Sequence, residues 1–295
     1  MSISRLGVVL PPTGSWIDQA AEYRWAEDIG YDVAYTYDHL THYTVPGEFL
    51  AEGFASLSAA AAVTQRIEVG TLVASATLHS PVGLARLAAT IDDISGGRLV
   101  LGLGAGSPRC ARADRDEQPS PREMFERYQD VVLGYQAVMG GADEWRGHTR
   151  SFAGVETRAL PDPEGKPPFL LLAAHGPQAL RLAAEHGDGW NTYGGPGSTT
   201  LEPDEFWAEI GTQVDRFEAA CADAGRAPGS VRRSLLLGFG TVLPAASLSS
   251  YVESAERAAG LGFDELVVYG PHSSGGDRFV TDPAVHERAI ARLRA

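Results

Sequence analysis

Short apolar blocks alternate with longer stretches of helical period eight times along the chain, and this alternation constrains the fold most. Apolar residues recurring every three or four positions indicate helices, whereas short apolar runs bounded by Gly or Pro indicate strands. The predicted strands are 6–10, 33–37, 67–73, 99–103, 169–173, 189–191, 234–239 and 265–269. The predicted helices are 16–29, 53–64, 81–94, 125–139, 177–186, 206–221, 248–259 and 283–293.

Several predicted strands, such as LVLGLG at 99–104, are apolar on consecutive residues. That pattern indicates burial on both faces, as in a parallel sheet wrapped by helices. Eight strand–helix pairs in 295 residues predict the α/β class and a (β/α)8 TIM barrel, organised as one domain over 1–295. The alternative is a doubly wound open sheet, which favours GxGxxG between its first strand and helix, where this chain has PPTGSW. The Gly- and Pro-rich segment at about 140–168 predicts an insertion with a short hairpin at 149–158.

The charge balance argues against two classes of partner. The chain carries 24 Lys and Arg against 38 Asp and Glu, a formal net charge of −14. Nucleic acids and anionic membrane surfaces both require a basic patch, so neither is expected. The first residues have no signal-peptide pattern, no apolar run is long enough to span a membrane, and the two cysteines form no disulfide framework. We therefore expect a soluble, cytoplasmic protein.

In a barrel, the residues that follow each strand form the functional face. Asp38-His39 closes the second predicted strand, where a histidine can give or take a proton near neutral pH. Asp38 points to the opposite side of the strand and is expected to orient another group rather than pair with His39. The run GLGAGS and the helix start at Gly176 could each bind a phosphate. An ordinary glycine turn explains the first equally simply, and an ordinary helix start is the more common explanation of the second.

Metal and cysteine chemistry have weaker support. His39 and His42 have HxxH spacing, but no third ligand follows at a recognisable distance, so no metal is predicted. Neither cysteine lies in a signature for nucleophilic catalysis. Cys110 follows the fourth strand and could line the cleft, whereas Cys221 falls on the apolar stripe of a helix.

Three segments resemble the bacterial luciferase-like superfamily of flavin and deazaflavin oxidoreductases. They are YTYDHL, RIEVGTLVASATLHSPVGLARLAATIDDISGGRLVLGLGAGSP and FLLLAAHGPQALRLAAEHGDGWN, which occur in order over nearly the whole chain. The resemblance implies a (β/α)8 barrel with insertion segments and a cleft for FMN or coenzyme F420, an 8-hydroxy-5-deazaflavin. The DH pair and GDGWN look like the F420-dependent branch, so F420 is the expected cofactor and FMN the alternative.

The resemblance also implies roles for individual residues. Asp38 would face the deazaflavin, His39 would be the active-site histidine, and Tyr43 would form an aromatic wall of the substrate pocket. A non-prolyl cis peptide is expected at Leu72-Val73 or the neighbouring bond, behind the ring. The remaining cofactor-binding residues are expected at the pyrimidine end of the ring and in the two phosphate-side loops: Ser75, Gly106, Ser107, Ala174, His175 and Gly176.

The chain also departs from the sugar-phosphate dehydrogenases of this branch. They have a glutamate where this chain has Ser107, a lysine where it reads TYGG, and a long insertion where 240–247 is short. Sugar-phosphate dehydrogenation is therefore not expected, and proton transfer would fall to His39 or to a tyrosine at position 37, 43 or 193.

The expected reaction is hydride transfer between deazaflavin C5 and a small organic substrate, in the direction that reduces an activated C=C or C=N bond. The alternatives are an FMN-dependent monooxygenase and a non-catalytic flavin-binding protein. The expected partners are a small-molecule substrate and, with the oligomeric state open, a second copy of the chain in a homodimer.

Overall fold

The computed structural model describes residues 2–42, 47–162, 165–271 and 281–295. Within these ranges, parallel strands close into an eight-stranded barrel, as the apolar blocks predict. The strands are β1 (Arg5–Val9), β2 (Val33–Thr36), β3 (Glu68–Thr71), β4 (Ala74–Ser75), β5 (Leu99–Gly104), β6 (Trp145–Arg146), β7 (Ser151–Phe152), β8 (Phe169–Ala173), β9 (Gly189–Thr192), β10 (Arg232–Leu236) and β11 (Glu265–Tyr269). The barrel order is β3-β2-β1-β11-β10-β9-β8-β5; pairing of β3 with β5 closes it, and β4 continues the β3 position.

Helices surround this barrel and follow its strands. They are α1 (Trp16–Ile29), α2 (Gly53–Val63), α3 (Pro81–Ser95), α4 (Pro108–Arg115), α5 (Pro121–Met139), α6 (Pro177–His186), α7 (Pro203–Asp223), α8 (Leu248–Gly260) and α9 (Pro283–Arg294). Their ends follow local chemistry: Ser80 Oγ accepts the Gly83 N–H at 3.2 Å to begin α3, and Gly96, with φ 70°, ends it. Within the described residues, no helix combines the length and the apolar character needed to cross a membrane.

Side chains fill the lower part of the barrel, and a cavity opens at its carboxyl-terminal mouth. The buried Glu265 carboxylate accepts hydrogen bonds from Tyr35 Oη at 3.0 Å, Ser234 Oγ at 2.8 Å and Arg5 Nε at 3.2 Å. A buried charge is tolerated when it is paired and hydrogen-bonded in this way. Above this network lies an apolar layer that includes Tyr37, Leu72, Leu171, Leu236 and Tyr269.

The third and seventh strands differ from their predicted bounds. Strand 67–73 is divided into β3 and β4, and the bond between Leu72 and Val73 is cis. The expectation of a non-prolyl cis peptide here is confirmed. Strand β10 ends at Leu236 rather than at 239, because Gly238 has a φ of 97° and turns the chain out of the strand.

Two further elements correct the predictions between the fourth and fifth barrel strands. Helix α4 occupies part of a predicted polar loop, because Ser107 caps a segment whose polar residues hide its helical period. The hairpin is formed by β6 and β7 and lies at 145–152 rather than 149–158, with Trp145 stacked against Phe152 at 6.3 Å. This ribbon belongs to the expected insertion, which connects α5 to β8.

Candidate active site

A cavity of about 920 Å³ opens at the carboxyl ends of the barrel strands. The structure brings nine of the predicted site residues together in its lining: His39, Leu72, Val73, Ser75, Gly106, Ser107, Ala174, His175 and Gly176. Tyr43 lies outside the described residues. The volume is in the range of small-molecule and cofactor sites, and its position is where barrel enzymes carry their active sites.

The end of β2 supplies a cluster of rings to the cavity. Tyr37 donates its hydroxyl proton to Tyr269 Oη at 2.5 Å and stacks on His42 at 5.3 Å between ring centroids. His39 Nδ1 lies 3.3 Å from Cys110 Sγ. Burial lowers the pKa of His39, although the nearby Asp38 partly opposes the effect. Burial, together with the charges of His39 and Arg109, lowers the pKa of His42 to about 4.

Asp38, the residue expected to face the cofactor, is buried beside the cavity. Among the described residues, it is buried behind the cavity rather than part of its lining. Its Oδ2 accepts the Ser75 N–H at 2.8 Å and pairs with His79 Nε2 at 2.7 Å. Asp38 therefore ties the end of β2 to β4 and positions Ser75, which agrees with the expectation that it orients another group. Sequence reasoning missed His79; its only local signal is its position just before the cap of α3.

Val73 and Ser75 form one wall of the cavity, and two glycines make room for them. A Cβ on Gly104 would lie 2.7 Å from Val73 Cγ2, and one on Gly106 would lie 2.2 Å from Ser75 Oγ. Gly106 also has a φ of 91°, which favours glycine. The backbone of the loop after β5 can therefore approach the wall closely enough to enclose a flat ligand.

Ser107 continues this loop into a helix start. Its Oγ accepts the Arg109 N–H at 3.2 Å and caps α4, and the Arg109 side chain lies in the cavity lining. Because a serine stands here, this loop presents a hydroxyl and backbone N–H groups rather than a carboxylate.

The loop after β8 faces the cavity from another side. Gly176 begins α6 without a side-chain cap, so the first N–H groups of this helix are available to a ligand. His175 Nδ1 lies 3.2 Å from Thr192 Oγ1, and its ring packs edge-on against Tyr193 at 4.5 Å. Burial lowers the pKa of His175 to about 4, so its ring is neutral near pH 7.

Several lining residues come from positions that sequence reasoning missed. Glu209, Gln213 and Arg216 reach the mouth from α7, where Arg216 Nη1 lies 3.7 Å from Glu209 Oε1. Phe239 adds an aromatic wall and lies 5.7 Å from Tyr193 between ring centroids. The α7 residues are distant in sequence from every motif, so only the three-dimensional arrangement identifies them. Cys110, in contrast, contacts His39 but is buried and lies behind the described lining.

The donor set fits a flat ring that carries an anionic chain. Apolar and aromatic walls suit the ring, and the close glycine loops leave room for it. The N–H groups that begin α6 and the guanidinium groups of Arg109 and Arg216 suit an anion. A deazaflavin or flavin phosphate has this shape and charge.

Comparisons with known proteins agree with this arrangement. The family model described as luciferase-like monooxygenase matches residues 5–239. An F420-dependent glucose-6-phosphate dehydrogenase of Beutenbergia cavernae is 31% identical over 177 residues, covering 58% of this chain and 51% of the relative. A 5,10-methylenetetrahydromethanopterin reductase of Archaeoglobus fulgidus is 29% identical over 185 residues, covering 63% of this chain and 52% of the relative. The chain thus spans about half the length of these curated relatives.

A solved structure matches the fold over nearly its whole length. An F420-dependent secondary alcohol dehydrogenase, in complex with an F420-acetone adduct, aligns with a TM-score of 0.77 and 15% identity. The alignment covers 98% of this chain and 99% of that one. At this identity the match shows that the two proteins share a fold.

Proposed function

Because this chain belongs to the bacterial luciferase-like family, we propose that it is an F420-dependent oxidoreductase acting on a small organic substrate. The proposed reaction moves a hydride between deazaflavin C5 and the substrate, in the direction that reduces an activated C=C or C=N bond. The observation that carries the proposal is the cavity, which is lined by nine residues assigned from the family resemblance. Two curated relatives whose names specify F420 or a tetrahydromethanopterin reductase add support.

The chain's own residues would hold the cofactor from three sides. Leu72, Val73 and Ser75 would support the ring, and Asp38 would fix Ser75 from behind. The loop at Gly106-Ser107 and the start of α6 would bind the phosphate through backbone N–H groups. When bound, F420 supplies C5 as the hydride donor or acceptor.

His39 would handle the proton that accompanies the hydride. Its Nδ1 is engaged by Cys110 Sγ, which leaves Nε2 as the ring nitrogen able to reach a substrate in the cavity. In the reducing direction, Nε2 of the protonated ring would give its proton to the substrate atom that does not receive the hydride. Burial lowers the pKa of His39, so the protonated form is a minority at neutral pH and reduction should speed up in mild acid.

Sugar-phosphate oxidation is not part of the proposal, although several relatives bear that activity in their names. Ser107 uses its hydroxyl to cap α4 and offers no carboxylate to accept a proton from a sugar hydroxyl. We expect no turnover of glucose 6-phosphate.

The test follows oxidation of reduced F420 by absorbance, without oxygen, in the presence of an α,β-unsaturated ketone or a cyclic imine. We expect substrate-dependent oxidation that is unchanged by air. Turnover that requires reduced FMN and oxygen would instead identify an FMN-dependent monooxygenase; the description of the family model names monooxygenase activity. Tight F420 binding without turnover of any acceptor would favour a non-catalytic binding protein.

A further inference from the structure

We propose that His175 presents an unprotonated Nε2 to the cavity as a fixed hydrogen-bond acceptor and thereby selects a ligand with a hydroxyl at that point. This inference rests on the proposed function, because it concerns the same cavity. Four groups fix the ring tautomer: the Gly194 carbonyl, Gln213, Thr192 and His175 itself.

The Gly194 carbonyl oxygen can only accept a hydrogen bond. The atom of Gln213 that lies 2.5 Å from it must therefore be the amide nitrogen, Nε2. This fixes the orientation of the buried amide and directs Gln213 Oε1, an acceptor, towards Thr192 Oγ1 at 2.6 Å. The one hydroxyl proton of Thr192 is consequently donated to Gln213.

Because Thr192 donates its only hydroxyl proton to Gln213, its Oγ1 can only accept hydrogen bonds from its other neighbours. It receives the Gly194 N–H at 3.0 Å and faces His175 Nδ1 at 3.2 Å. His175 Nδ1 must therefore carry the proton and donate it to Thr192. A neutral imidazole has a single N–H, so Nε2 bears a lone pair.

The ring is both neutral and held in place. Burial lowers the pKa of His175 to about 4, which keeps the second proton off near pH 7. Tyr193 packs edge-on against one side, and Gly195 passes so close that a Cβ there would lie 3.0 Å from His175 Cβ. A hydrogen bond with the Gln213 side chain partly opposes this lowering of the pKa, and His175 lines the cavity.

An acceptor with these properties favours one kind of ligand group. Enclosing a lone pair without a donor costs free energy, whereas a ligand hydroxyl satisfies it. An anionic oxygen at the same point would meet another lone pair and be disfavoured. The loop after β8 would thus bind two different groups. The backbone N–H groups at the start of α6 bind the anion, and the His175 ring binds a hydroxyl of F420 or of the substrate.

The test is 15N NMR of the ligand-free protein labelled at histidine, with the His175 signals assigned by their loss in His175→Phe. At pH 7 we expect a protonated Nδ1 and an unprotonated Nε2. A protonated Nε2 would overturn the proposal. Thr192→Val removes the acceptor for Nδ1, so the Nε2–H tautomer should become populated. An unchanged tautomer would contradict the assigned hydrogen bonds from Gly194 through Gln213 and Thr192 to His175.

Two additions then identify the source of the hydroxyl. A shift of the Nε2 resonance with F420 alone assigns it to the cofactor, and a shift only after a hydroxyl-bearing α,β-unsaturated ketone is added assigns it to the substrate. In the first case His175→Phe should weaken F420 binding roughly three- to tenfold; in the second it should raise the KM for the ketone by a similar factor. No shift with either addition would overturn the proposal. If F420 does not bind, the proposed function fails, and FMN, which also carries hydroxyls, becomes the probe for His175.

Discussion

His39 lines the cavity, and its Nδ1 contacts a cysteine sulfur, which leaves Nε2 for a ligand. Cys110, which the sequence analysis considered for the cleft lining, lies behind His39 with its Sγ 3.3 Å from Nδ1. Cys110 therefore orients the ring rather than meeting a ligand. Asp38 likewise lies behind the lining and positions Ser75, whose N–H donates to its carboxylate.

Replacement of His39 tests the assigned proton transfer. His39→Ala should lower kcat by roughly 10²-fold, the usual scale for a lost general acid or base, while F420 affinity changes little. Stopped-flow rates and a fluorescence titration with F420 measure the two effects separately. Tyr193→Phe is the control, because Tyr193 also lines the cavity and carries a hydroxyl that could transfer the proton. A larger loss of kcat in Tyr193→Phe than in His39→Ala would assign the proton transfer to the tyrosine.

Replacement of Asp38 tests its positioning role. Asp38→Ala would leave the Ser75 N–H and His79 Nε2 without their buried acceptor, which should destabilise the fold by about 1–3 kcal/mol. Urea unfolding measures this loss, with the exposed Asp215→Ala on α7 as the matched control. If Asp38→Ala unfolds at the same urea concentration as the control, the two hydrogen bonds contribute nothing to stability.

At the scale of elements, β3 and β5 approach each other closely because Gly102 has no side chain. A Cβ at this position would lie 1.9 Å from the Thr71 carbonyl oxygen, immediately before the Leu72-Val73 bond. The same pairing closes the barrel and leads into the cavity wall, so this glycine links the fold to the site.

Gly102→Ala should therefore destabilise the protein by at least about 2 kcal/mol, because strand backbones must separate to admit the methyl group. Gly260→Ala is the matched control, since nothing lies within 4 Å of a Cβ there and the residue ends α8. Thermal unfolding of both variants is the measurement. Equal melting temperatures would show that the barrel accommodates the methyl group.

The sequence predicted the barrel elements well because each carries its own periodic pattern or apolar run. It missed α4, because the polar residues of this helix mask its helical period. It predicted the hairpin a few residues too late in the chain, because Gly and Pro mark turns without fixing strand register. The undivided strand 67–73 was wrong for a similar reason, since apolar composition alone does not reveal the interruption at Leu72-Val73.

At the scale of the whole molecule, the cavity combines residues from distant parts of the chain. Motifs at the strand ends identified the walls and loops, but Gln213 and Arg216 enter from α7 and belong to no local pattern. The series of hydrogen bonds from Gly194 through Gln213 and Thr192 to His175 depends on distances that only the folded chain provides.

Buried neutral histidines should also make the whole fold sensitive to acid. Burial lowers the pKa of His286 to about 4, and its Nδ1 lies 2.6 Å from Tyr31 Oη between the outer helices. The unfolded chain binds this proton near pH 6.5 and the folded chain near 4, so stability is lost as pH falls between these values. In urea titrations across this range, His286→Asn should reduce the slope of unfolding free energy against pH by up to about 1.4 kcal/mol per unit. An unchanged slope would mean that His286 is protonated in the folded protein as readily as in the unfolded chain.

The central claim is that this cavity belongs to a deazaflavin enzyme, and a paired titration tests it most directly. Apoprotein is titrated with F420 and with FMN under the same conditions, and each reduced complex is then exposed to air. The account predicts tighter binding of F420 and a reduced complex that persists in oxygen. Tighter binding of FMN, with rapid oxidation of its reduced complex by oxygen, would contradict it.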